Sequence, residues 1–288
     1  MKPRTVLLIV VGVAGALILG SIGFILLQRF LAQSLLPGDQ ALELLQGAPY
    51  SKLLIEVDHT PGDAPEASAL VILQTRLLAY TAKESVEITS GVIAVNQTTF
   101  DTLDLLELER AHRDSVTGGD TFTLYILSIA GELANGGESA LAAAYTASSL
   151  AIFKDVISRA TLRPGPSLAE VEASVLVHEV GHLMGLVNLV YTSDLDYEDP
   201  AHPFHSDNST DVMYWAIESA PFIQPPNDFG AETRFDLQKL RDGEYPIVPS
   251  RLRDLASALD FAGRTHNRWA LFEIRLVAGV ASSGTQAS

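Results

Sequence analysis

Residues 167–188 read SLAEVEASVLVHEVGHLMGLVN. Pro164, Gly165 and Pro166 break the chain just before them, and Ser167 with Glu170 has the spacing of a capping box, which marks a helix start. Val171, Val175, His178 and His182 then recur at helical spacing and share one face. Two histidines at i and i+4 bring both imidazoles to one metal ion. Glu179, the next residue, can take a proton from an attacking water and later return it to a leaving amine. Zinc suits this set, because it binds imidazole well, has no redox chemistry and acidifies water towards neutral pH. Glu170 and Glu172 count against this helix being a membrane span.

A catalytic zinc needs a third protein ligand. Gly185 can end the helix in a left-handed conformation and turn the chain back. Downstream, residues 202–215 read HPFHSDNSTDVMYW, with two further histidines. The His178-Glu179-x-x-His182-x-x-Gly185 run and the later Val212-Met213 resemble the metzincin superfamily of zinc proteases. In its archaemetzincin branch the third histidine is followed by H-C-x-N-x-x-C-V-M. His205, Asn208, Val212 and Met213 match in order, with Ser206 and Asp211 where the cysteines stand. The eight-residue step from His205 to Met213 also resembles that of matrix metalloproteinases. The family's third-histidine position holds Asn188, whose neutral amide is a poor zinc ligand. The resemblance therefore implies a third ligand displaced by a 17-residue insertion, residues 188–204. His205 fills that role, with His202 as the alternative. It further implies one catalytic Zn2+ and Met213 as the apolar floor beneath it. The resemblance covers roughly residues 170–240, and the family's cysteine-held second zinc has no counterpart here.

The whole chain has 288 residues, 19 Lys and Arg against 35 Asp and Glu, and no cysteine. Disulfides, thiolate metal sites and cysteine catalysis are excluded. A net charge of −16 argues against a nucleic-acid partner. Residues 5–27 carry no charge and are flanked by Lys2, Arg4 and Arg29, which predicts a transmembrane helix. The basic flank puts residues 1–4 in the cytoplasm and the remainder outside, at a cell membrane. Ala32-Gln33-Ser34 offers the competing reading of a cleaved signal peptide. Gly12, Ala16 and Gly20 form a small-residue stripe that can pair two such helices as a homodimer. Beyond Leu27 the balance is 17 basic against 35 acidic residues, so the remainder is more acidic than the whole.

Residues 28–50 read as a stalk or lead-in helix, 51–248 as the catalytic domain, and 249–288 as a C-terminal extension. Within the domain, 52–57, 86–95 and 121–129 read as strands, 65–82 and the stretch to Arg110 as helices, and 145–153 as a further strand at a sheet edge. Gly118-Gly119 and Gly136-Gly137 mark turns. The element order gives an α+β fold. The resemblance makes it metzincin-like, with a twisted mixed β-sheet, an active-site helix and a C-terminal subdomain, preceded by the one transmembrane helix. Residues 235–240 read as a short helix on which Asp236 is either a partner behind the metal site or part of a solvated face. His59 reads as a turn residue, and His112 and His266 as exposed. Asn96 and Asn208 fit the glycosylation pattern. Asp194, Asp196, Glu198 and Asp199 form an acidic loop with the oxygens calcium prefers.

The function expected is a membrane-anchored zinc endopeptidase acting on a protein or peptide that lies along an edge strand. Two alternatives stand beside it. One is a zinc-binding but inactive tethered module. The other is a gluzincin-type protease whose third ligand is an acid, Glu198 or Glu218.

Overall fold

The computed structural model describes residues 35–134, 140–161, 165–218 and 225–248. The chain enters through a short helix, α1 (Ala41–Leu45). It then alternates through β1 (Lys52–His59), α2 (Ala67–Tyr80), β2 (Ser85–Val92), β3 (Thr99–Phe100), α3 (Thr102–His112), β4 (Thr121–Ile129) and β5 (Glu132–Leu133). A hairpin of β6 (Ala142–Thr146) and β7 (Ser149–Phe153) leads into α4 (Lys154–Ala160) and the long α5 (Leu168–Leu183). A 3-10 turn at Trp215–Glu218 and α6 (Ala231–Arg241) complete the described elements.

Five strands form one mixed sheet in the order β2-β1-β4-β7-β6. The first four run parallel, and β6 lies antiparallel to β7 at the edge. The chain moves from β1 out to β2 and back across β1 to β4. Right-handed connections in the two directions place α2 and α3 on opposite faces. With both faces covered, β4 is buried at every position after Thr121, as a central parallel strand should be. Helix α5 packs against α2 and lies over β6 and β7. Leu73 and Leu77 of α2, Val175 and Leu176 of α5, and Ile55, Leu124 and Ile126 of the sheet belong to one core.

The lead-in helix enters that core. Ala41, Leu44 and Leu45 are buried, and the Lys83 ammonium donates to the carbonyls of Glu43, Gln46 and Tyr50 at 2.6, 2.6 and 2.5 Å. One strand expectation is corrected. Residues 145–153 form two strands, because Ser148 N–H turns back onto Thr146 Oγ1 at 3.2 Å and closes a tight hairpin. The edge strand is thus β6, and β7 is interior. Strand β2 ends at Val92 instead of running to 95, and α6 is longer than the 235–240 expected.

Among the described residues, no helix is long and apolar enough to cross a membrane. The expected span at 5–27, with Gly12, Ala16 and Gly20, lies outside the described residues. So do the 32–34 cleavage site, the Gly136-Gly137 turn, His266 and the 249–288 extension.

Candidate metal centre

Helix α5 begins as the sequence predicts. Ser167 Oγ accepts from Glu170 N–H and the Glu170 carboxylate accepts from Ser167 N–H, a complete capping box. One turn in, the fully buried Glu172 pairs with Lys154 of α4 and accepts from the N–H of Glu66, the N-cap of α2, at 2.6 Å. This ties the helix to both neighbours just before its histidines. The helix ends in a Schellman turn. Leu186 N–H bonds Gly181 O at 3.1 Å and Gly185 N–H bonds His182 O at 3.0 Å, with Gly185 at φ +75°. A side chain at Gly185 would also collide with Val190.

Two more left-handed residues follow, Val187 (φ 53°) and Asn188 (φ 63°). Asparagine tolerates that region, whereas a buried β-branched valine there is strained. Asn188 does not face the histidines. Its amide donates to Glu198 Oε2 at 2.8 Å and its oxygen accepts from Ser193 N–H at 2.7 Å.

The segment after it folds back as a small hairpin. Asp207 N–H bonds Tyr197 O at 2.9 Å, and Asp199 N–H bonds His205 O at 2.8 Å. Ser206, fully buried, sits at its centre, bridging Glu198 on one side and Tyr214 on the other, with its N–H on Met213 O at 2.8 Å. His205 is thereby held beside α5.

The structure brings His178, His182 and His205 together, one ring nitrogen from each lying within 4.8 Å of the others. Their ring centroids are 4.8, 5.0 and 5.2 Å apart. His178 Nδ1 donates to Val212 O at 2.6 Å and His205 Nδ1 to Pro203 O at 2.9 Å, so a carbonyl fixes each tautomer and leaves Nε2 as the electron-pair donor. Tetrahedral zinc at about 2.0–2.1 Å from each nitrogen sets neighbouring nitrogens about 3.4 Å apart. The 3.1 Å between the Nε2 atoms of His178 and His182 is close to that, so the residues present fit the ion.

Glu179, only 2% exposed, accepts from the Ala144 N–H of edge strand β6 at 2.7 Å. Met213 is fully buried beneath α5, its sulfur pressed against the place where a side chain at Gly181 would stand. Asp211, two residues earlier, braces that turn by accepting from Met213 N–H at 2.9 Å and Thr233 Oγ1 at 2.5 Å. Burial pushes the Asp211 carboxyl upwards, and the bonds from Met213, Thr233 and Gly230 oppose this.

The other candidates fall elsewhere. His202 donates to Asp199 at 2.9 Å and stacks on Trp215, ring centroids 4.0 Å apart, outside the cluster. Glu198, an alternative acidic ligand by sequence, has both oxygens occupied by Asn188 and by Phe204 N–H, and the Glu218 side chain lies outside the described part. Of the acidic loop, Asp194 pairs with Lys239 and Asp199 with His202, and among the described residues the group placed to hold a metal is the three histidines, without Asp194, Asp196, Glu198 or Asp199. Asp236 is neither behind the metal site nor solvated. It is fully buried and accepts from the hydroxyls of Tyr191, Ser193, Tyr197 and Tyr245 at 2.8–2.9 Å. His59 and His112 are half-buried.

Three contributors escaped the sequence reading: the Ala144 N–H, the Asn188–Glu198 pair, and Gly181. Only Gly181 carried a signal, since a glycine inside a helical run costs stability and calls for a packing reason.

No protein-family model matches the chain, and no curated protein matches it. Among solved structures, the crystal structure of archaemetzincin from Methanopyrus kandleri is similar at 17% identity and a TM-score of 0.44, covering 66% of this chain and 95% of that one.

Proposed function

We propose that this chain is a zinc-dependent endopeptidase, held at a membrane by residues 5–27 with its folded part outside the cytoplasm. The observation that carries the reading is the convergence of His178, His182 and His205 on one point, with Glu179 adjacent on the same helix. The three imidazoles would hold the ion. Zinc, when bound, supplies Lewis acidity to the scissile carbonyl and the attacking water. Glu179 takes the proton from that water and delivers it to the leaving amine. The Ala144 N–H holds one carboxylate oxygen and so aims the other. Because that bond comes from β6, the residue that moves the proton is registered against the edge strand of the described sheet. An extended peptide can pair along that edge by main-chain hydrogen bonds.

The test compares wild type with Glu179→Gln in cleavage of an unstructured protein, at matched zinc content. Loss of a positioned proton-transfer group lowers turnover about 10²–10⁴-fold. Equal cleavage by the two proteins would refute the reading. Recovery of the full chain in the membrane fraction, and release on deletion of residues 5–27, tests the anchor.

A further inference from the structure

His205 follows the irregular stretch 188–204, and long irregular segments hold a geometry only where internal bonds replace the missing ladder. Asn188 and Glu198 supply those bonds at the point where they matter. Glu198 stands on the outgoing arm of the 197–207 hairpin, opposite Ser206. Its Oε1 accepts from Phe204 N–H at 2.7 Å and its Oε2 from the Asn188 amide at 2.8 Å. Phe204 immediately precedes His205 and adopts φ 68°, a left-handed conformation that disfavours a residue with a Cβ. The carboxylate therefore grips the one strained peptide on which the direction of the His205 ring depends. Its other oxygen is anchored to the residue that ends the turn after α5, which carries His178 and His182. That residue is itself locked by Ser193 N–H on Asn188 Oδ1 at 2.7 Å.

We infer that Asn188 and Glu198 are positioning residues that fix the third metal ligand relative to the first two. This rests on the zinc-site reading above. The chain of bonds has a direction: Ser193 N–H to Asn188 oxygen, Asn188 amide to one Glu198 oxygen, Phe204 N–H to the other. Glu198→Gln is isosteric yet sets an amide donor against a second amide donor, so one link must break. Adding Asn188→Asp restores every link, with the negative charge moved across the pair. The carboxylate introduced at position 188 accepts from Ser193 N–H and from the amide introduced at position 198, and the oxygen of that amide accepts from Phe204 N–H.

The experiment measures zinc affinity by chelator competition, and the visible spectrum of the cobalt-substituted chain, for five proteins. These are wild type, Glu198→Gln, Asn188→Asp/Glu198→Gln, His205→Ala, and His205→Ala/Glu198→Gln. Loss of a partner that orients a ligand weakens metal binding about 10–100-fold, and Glu198→Gln should do so with a cobalt spectrum shifted towards that of His205→Ala. The Asn188→Asp/Glu198→Gln protein should regain wild-type affinity and spectrum. In the His205→Ala background Glu198→Gln should have no further effect. Wild-type affinity in Glu198→Gln, failure of the paired change to rescue it, or an equal loss with His205 absent would each overturn the inference while leaving the zinc site standing. A wild-type chain that takes up no zinc would overturn both.

Discussion

Gly181→Ala sets two effects of known size against each other. Residue 181 lies inside α5, where alanine outranks glycine by about 1 kcal/mol in helix propensity. Propensity alone predicts a stabilised protein. The structure reverses the sign. A Cβ at 181 would overlap the Met213 sulfur and stand 3.1 Å from Met213 Cε and 3.2 Å from Phe229 Cε1. Met213 is completely buried, and its main chain is tied on both sides, its N–H to Asp211 and its carbonyl to Ser206 N–H. The side chain must yield rather than the turn. Overpacking of this kind costs about 1–3 kcal/mol, with the displaced methionine leaving its preferred rotamer. The net expectation is a loss of about 1 kcal/mol, or about 2–4 °C in Tm for a domain of this size. Urea denaturation of the metal-free protein reads it directly. The cause is isolated by a double-mutant cycle with Met213→Ala. That truncation alone opens a cavity costing about 2–5 kcal/mol, and the new methyl at 181 refills part of it, so the two changes should be less harmful together than their sum. A Gly181→Ala protein as stable as wild type or more so, or strict additivity in the cycle, would show that Met213 does not sit under the two histidines.

Zinc at a hundredfold excess over its Kd should stabilise the folded chain by about 2.7 kcal/mol, and chelation should lower the melting midpoint of wild type but not of His178→Ala/His182→Ala; equal responses would refute the cluster as the metal site. Glu172→Ala leaves Lys154 buried without its partner and should cost about 3–5 kcal/mol in chemical denaturation; a loss under about 1 kcal/mol, the scale of a surface pair, would contradict the buried bridge. Burial pulls Lys83 down to about 8 from its ordinary 10.5, with Glu43 opposing. Between those values the unfolded chain binds more protons than the folded one, so stability rises with pH in that window. Urea midpoints from pH 7.5 to 9.5 should climb in wild type relative to Lys83→Met, and parallel curves would refute it.

Regular elements with a strong period were legible in the sequence. Helix α5 announced itself through its capping box and the 171-175-178-182 face, and β4 through a run of β-branched and aromatic residues, because local bonds and burial on repeating positions leave a periodic trace. The β6–β7 hairpin left none. Its turn is made by Thr146 and Ser148 bonding locally, inside a stretch apolar enough to read as one strand. Nothing in the sequence marks Lys83 or Glu172 as buried, and Asp236 reads there as either a partner behind the metal site or part of a solvated face. Each is buried because partners elsewhere in the chain satisfy it: carbonyls near α1, Lys154 of α4, and the hydroxyls of Tyr191, Ser193, Tyr197 and Tyr245. Such pairings are properties of the folded chain and have no local signature.

The candidate metal centre divides along the same line. His178, Glu179 and His182 follow from helical spacing alone, whereas selecting His205 over His202 needed its interval from Met213, and the structure gives that interval a physical meaning. Ser206 N–H bonds Met213 O, so the distance along the chain between His205 and Met213 is the length of one closed loop. Asn188 is where the two kinds of reading meet. In the sequence it counts against a metal site, because a neutral amide binds zinc poorly. In the fold the same neutrality is its use: an amide offers a donor to Glu198 and an acceptor to Ser193 at once, which neither imidazole fixed on a metal nor a carboxylate beside Glu198 can do. The residue whose chemistry makes it a poor ligand thus ties the end of α5 to the hairpin that holds His205.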